Sequence, residues 1–137
     1  MNATNQALPD VTERSQLSFI VTTFYDAVRQ DAELGPIFNA TITEWDEHLE
    51  KITDFWATHI FGDKTYTGNP VLAHQQLDQQ FDESISPHHF GTWLFYWLQT
   101  INTHFSGPNA ETLKDKSRKM QTILYMKIFE YRTKKRQ

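Results

Sequence analysis

A chain of 137 residues has the usual length of one domain and can bury a single core. Its 39% apolar and 22% charged residues are ordinary for a globule, which argues against a disordered or membrane-embedded chain. With no cysteine, it makes no disulfide, iron–sulfur cluster or zinc–thiolate site, and a net charge of −4 argues against a nucleic-acid-binding chain.

The start, Met1 to Asp10, is polar and lacks the basic-then-apolar order of a secretory signal, so residues 1–10 are expected to be a flexible N-terminus. No apolar run approaches the roughly 20 residues of a membrane span, and the expected location is the cytoplasm. Asp10-Val-Thr-Glu13 resembles a capping box. Leu17, Val21, Phe24 and Val28 then recur at helical spacing, predicting a helix to about Gln30 with Tyr25 beside its apolar stripe. Leu34-Gly-Pro-Ile-Phe38 predicts a short helical corner.

Thr43 is placed as the N-cap of a second long helix. Trp45, Leu49, Ile52 and Trp56 form one apolar row of it and His48, Ile52, Phe55 and His59 an adjacent one. Gly62 ends this helix, and a polar connection over residues 63–69 carries Tyr66 and Gly68. Asn69-Pro70 opens a short helix with Val71 and His74 on one face, too short to be stable alone. Ser86-Pro87 opens a third long helix with Phe90, Trp93, Trp97 and Ile101 inward. After the break at Gly107-Pro108 a fourth follows, with Leu113, Met120, Leu124 and Tyr131 on one side. The basic end, Arg132, Lys134, Lys135 and Arg136, is expected to be a frayed and solvated terminus over residues 132–137. With no strand-like alternation and no repeat, the fold class is all-α and the organisation one domain over residues 1–137.

The six histidines fall at neither Glu-x-x-His nor His-x-x-x-His spacing, the usual marks of a bare metal site in a helical bundle. Phosphate loops and nucleophile turns are equally missing, so catalysis by side chains alone has no support and no catalytic residue is assigned. Two histidines lie in apolar helical settings: His48 inside a long helix and His74 on the short helix after the loop. A haem explains the pair, since porphyrin iron takes one neutral imidazole on one face and a small polar group amid apolar walls on the other. Spacing alone leaves a second explanation open, that both are surface or hydrogen-bonded core residues.

Taken together, Phe24-Tyr25-Asp-Ala-Val28, Asp31-x-x-Leu34-Gly35-Pro36-Ile37-Phe38, Trp45-x-x-His48, Lys51-Ile52-x-x-Phe55-Trp56, Tyr66-x-Gly68-x-Pro70 with His74, and Phe90-x-x-Trp93-Leu94 resemble the truncated (two-over-two) haemoglobins, group III, over roughly residues 15–130. The resemblance implies a globin-like sandwich of two helix pairs around haem b, with His74 as the proximal iron ligand. It implies that Tyr25, His48 and Trp93 face the bound gas, and that Phe24, Phe38, Ile52, Phe55, Tyr66 and Trp93 surround the cofactor. Lys51 and Tyr66 are candidate partners for its carboxylates, and His88-His89 receive no role beyond a solvated cap. The implied function is tight binding of O2 and other diatomic gases (NO, CO) at a five-coordinate iron. NO oxidation or peroxide chemistry, with iron reduced by an unidentified reductase, fits such a pocket better than oxygen delivery. The alternative is a haem-based sensor or electron-transfer protein with His48 as sixth ligand. A monomer without membrane or nucleic-acid partners is expected.

Overall fold

The structure is a computed structural model that describes residues 7–137. Six helices and no strand occur among the described residues: α1 (Arg14–Val28), α2 (Leu34–Thr41), α3 (Trp45–Phe61), α4 (Pro70–Gln80), α5 (Pro87–His104) and α6 (Pro108–Lys135). The all-α expectation holds, with most helix ends within two residues of the sequence reading. None of these helices is long and apolar enough to cross a membrane.

The apolar periodicity explains the packing. Leu17, Ile20, Val21, Phe24 and Val28 are buried along one side of α1, against Phe55, Trp56 and Ala57 of α3 and Trp97 and Ile101 of α5. At about 1.5–3 kcal/mol per large apolar side chain removed from water, this cluster dominates the driving force for folding. A smaller cluster of Ile85, Phe90, Leu124 and Ile128 lies apart, with Val71 of α4 against it. Helix α1 pairs with α3 and α5, while α4 pairs with α6, which also pairs with α5. On α6, Ile128 takes the inner place expected of Tyr131, which is exposed. The two lie three residues apart on neighbouring faces, and periodicity alone does not separate them.

Local signals set the boundaries. Asn69 accepts a hydrogen bond from the Leu72 N–H at 3.1 Å, capping α4 with Pro70 in its first turn, and Gly62 ends α3 at φ 75°. Gly35 is fixed by close approach: a Cβ there would stand 2.6 Å from the Arg29 carbonyl oxygen, so the corner between α1 and α2 closes only around glycine. The cap of α3 is Glu44 rather than Thr43.

Both chain ends depart from expectation. The first six of the ten N-terminal residues expected to be flexible lie outside the described residues. Asp10 is held: its carboxylate accepts from the backbone N–H groups of Asn109 at 3.0 Å and Ala110 at 2.9 Å, so it caps α6 rather than α1. At the start of α1 the Gln16 side-chain oxygen accepts from the N–H of Thr12 at 2.6 Å and of Glu13 at 3.0 Å. The frayed end expected over residues 132–137 is instead helical to Lys135. Arg132 is drawn inward by the buried Asp78.

Candidate functional site

Between the α1–α3 side and the α4–α6 side lies a cavity of about 230 Å³. Phe24, Tyr25, Phe38, His48, Ile52 and Phe55 line one side, with Tyr66 at the connection after α3. Ala73, His74 and Leu77 of α4 line the other, with Phe90 and Trp93 of α5 between. The structure thus brings Phe24, Tyr25, Phe38, His48, Ile52, Phe55, Tyr66, His74 and Trp93 to one cavity. Lys51 is exposed and does not line it. It lies one turn beyond His48 on α3, with its stem outside the apolar wall.

His74 is the most informative group. Its Nδ1 lies 2.7 Å from the Pro70 carbonyl oxygen one turn earlier, and because a carbonyl only accepts, Nδ1 carries the proton and donates. In the neutral ring Nε2 is then an unprotonated lone pair. Burial favours that neutral form, lowering the His74 pKa, although the Pro70 carbonyl acts in the opposite direction. A ligating histidine is commonly oriented by just such a second-nitrogen bond to a carbonyl. Its ring lies tilted beside Phe90, with centroids 6.2 Å apart. No cluster of three or more His, Asp or Glu able to hold a metal ion occurs among the described residues. A metal at His74 must therefore bring its remaining ligands with it, as a metallated macrocycle does.

On the other side, Tyr25 is buried, and its hydroxyl lies 3.0 Å from His48 Nε2. Rings of Phe38 (5.6 Å), Trp45 (5.4 Å) and His48 (5.3 Å) stand edge-on around it. Burial pushes the Tyr25 phenol well above its ordinary range, so it stays protonated. Burial first, then the positive charge of Lys51 and the charge His74 would carry if protonated, lower the His48 pKa to about 4, so this imidazole is neutral at pH 7. Trp93 stacks on Trp97 (5.8 Å, 13°), which stacks in turn on Trp56 (5.4 Å, 26°). The Trp97 indole N–H is bonded to Ser117 Oγ at 2.6 Å. That of Trp93 has no protein acceptor among the described residues, and no side-chain polar atom there is both buried and unpartnered. The Trp93 N–H therefore reaches open space.

Sequence reasoning missed part of the α6 side. Met120, Gln121 and Leu124 line the cavity, as do Ile85 and His89. Met120 and Leu124 carried the signal, as inward positions of α6, but nothing in their spacing distinguishes a cavity wall from closed core. His89 caps α5, its Nδ1 accepting from the Ser86 N–H at 3.0 Å, but it is half-buried at the cavity rather than solvated as expected. His88 contacts Glu33 at 2.8 Å.

No family model matches the chain. It is 26% identical over 129 residues, covering 89% of this chain and 95% of the relative, to the Group 3 truncated hemoglobin ctb of Campylobacter jejuni. Among solved structures it matches the group III truncated hemoglobin from Campylobacter jejuni with a TM-score of 0.74 at 24% identity, covering 88% of this chain and 94% of that one. The chain is thus similar in sequence to a group III truncated haemoglobin and shares that protein's helical fold.

Proposed function

We propose that the chain binds haem b through His74 and holds diatomic gases, O2 foremost, on the opposite side beside Tyr25, His48 and Trp93. The observation that carries this reading is the Nδ1–H bond from His74 to the Pro70 carbonyl, which leaves Nε2 as a lone pair on an apolar cavity. Haem supplies an iron that moves electron density onto a bound gas, so that negative charge develops there.

The protein's contribution is to place donors where that charge develops. If the Nε2 proton of His48 is donated to the Tyr25 oxygen, the phenol O–H is left to point into the cavity; the neutral imidazole allows this arrangement. The Trp93 N–H, without a protein acceptor, is a second donor. Apolar walls at Phe24, Ile52 and Phe55 keep water from competing. A hydrogen bond to a charged acceptor contributes about 1.5–3 kcal/mol, so two donors slow gas release by about a hundredfold or more. Such retention suits use of O2 on the spot, in NO oxidation or peroxide handling with a reductase as partner, better than delivery. The competing reading, His48 as sixth ligand, requires its bond to Tyr25 to break.

Stopped-flow measurement of O2 dissociation tests the assignment. Tyr25→Phe is expected to raise the off-rate by about tenfold or more, and an unchanged rate would remove Tyr25 from this role.

A further inference from the structure

Helix α4 carries His74 yet is poorly anchored by apolar burial. Of its residues Pro70–Gln80, only Asp78 is buried, and Asp78 is charged. A helix of this length does not hold itself in water. Its position must come from whatever grips it.

The grip is polar and comes from α6. Arg132 places Nε 2.8 Å from Asp78 Oδ2 and an Nη 2.7 Å from Oδ1, a two-pronged pair in which the carboxylate is 1% exposed. The same guanidinium donates to the Ile85 carbonyl at 2.6 Å, and the Ile85 N–H donates to Asp78 at 3.2 Å, so one arginine joins α4, the connection to α5, and α6. That connection turns through Asp82 and Glu83, both at positive φ (58° and 61°), with the Glu83 N–H on the Asp78 carbonyl at 2.7 Å. Further along, Gln75 donates to the Lys127 carbonyl at 3.0 Å, Lys135 bonds Gln79, and Arg136 pairs with Glu83. Arg132 and Lys135 of the C-terminal end are therefore directed to the helix that bears His74, and Arg136 to the connection that follows it.

Asp78 lies four residues after His74, one turn along nearly the same face. Rotation or translation of α4 at Asp78 is thus transmitted to the imidazole within about 6 Å of helix axis. We propose that the Asp78–Arg132 pair is the positioning element of the site: it fixes the height and rotation of α4, and through them the direction in which His74 Nε2 enters the cavity. This role rests on His74 being the iron ligand, whereas the grip on α4 does not.

Two measurements separate these claims, on Asp78→Asn and on Arg132→Lys, which keeps the charge but not the two-pronged geometry and covers failure of the first variant to fold. In the haem-free protein, amide hydrogen exchange over residues 71–77 is expected to quicken by about tenfold or more relative to α5. In the reduced haem-loaded protein, the iron–imidazole stretching band in the resonance Raman spectrum is expected to shift or broaden, more in Asp78→Asn than in Arg132→Lys. Ile20→Val, a core variant away from the cavity, controls for plain loss of stability and is expected to leave the band in place. Unchanged exchange in both variants would overturn the clasp. A band that moves no further than in Ile20→Val would overturn its positioning role. If the wild-type chain takes up no hemin, the haem reading fails while the exchange result still decides whether Arg132 holds α4.

Discussion

The chemistry of the site rests on which nitrogen or oxygen holds a proton. Burial keeps Tyr25 a phenol and keeps His48 neutral, and a 3.0 Å hydrogen bond couples the two. For His48 the consequence extends to stability. Its folded-state pKa of about 4 lies below the ordinary 6.5, so the unfolded chain takes up the proton first as pH falls. The stability this gives the haem-free protein is complete above about pH 6.5 and declines between pH 6.5 and about 4. Tyr25 acts on this imidazole through its hydrogen bond and Lys51 and His74 through charge, and none of the three is a carboxylate that would offset the loss. Urea unfolding of the haem-free protein at a series of pH values is expected to show a shallower slope over this window in His48→Gln than in wild type. Equal slopes would mean that His48 is not the group responsible.

At the scale of elements, two contacts are tested by single substitutions. Asp10 gathers the N–H groups of Asn109 and Ala110 at the start of α6 and that of Val11 at 2.8 Å. Burial pushes its carboxyl up, but these three donors more than reverse that and hold it below its usual value. Asp10→Ala is expected to cost about 0.5–2 kcal/mol in chemical denaturation, and the loss should shrink at acid pH, where the wild-type carboxylate is protonated too. Gly35→Ala places a Cβ against the Arg29 carbonyl, where only backbone can yield, and is expected to cost about 1–3 kcal/mol. The same scale shows what was legible in the sequence. Long amphipathic helices and proline-led starts were, because each depends on neighbours in the chain: Asn69 before Pro70 and Ser86 before Pro87 are local statements. The capping of α6 by Asp10 and the pairing of Arg132 with Asp78 were not, because both join residues far apart in the chain, and a charged residue near a chain end ordinarily points to water. At the site, Tyr25, His48, His74 and Trp93 were legible through the order of several motifs rather than through any single spacing. Lys51 was singled out as a partner for a cofactor carboxylate at the cavity edge; it is exposed on α3, one turn after His48 and outside the cavity lining.

Across the whole molecule, the two sides of the cavity are built by different forces. The α1, α3 and α5 side is a closed apolar and aromatic core, in which Trp93, Trp97 and Trp56 stack in a column, so the donors above the cavity stand on rigid ground. The α4 side is held to α6 by hydrogen bonds and ion pairs around a small apolar cluster. A stiff wall carrying Tyr25, His48 and Trp93, facing a short helix with one free imidazole lone pair, suits a flat cofactor entering between them. The most direct test is the visible spectrum of the purified protein supplied with hemin, ferric and then dithionite-reduced with and without CO, compared with His74→Gly. Wild type is expected to give a five-coordinate ferrous spectrum and a CO complex, lost or strongly altered in His74→Gly and restored by added imidazole. Identical spectra from the two proteins without added imidazole would rule out His74 as the iron ligand.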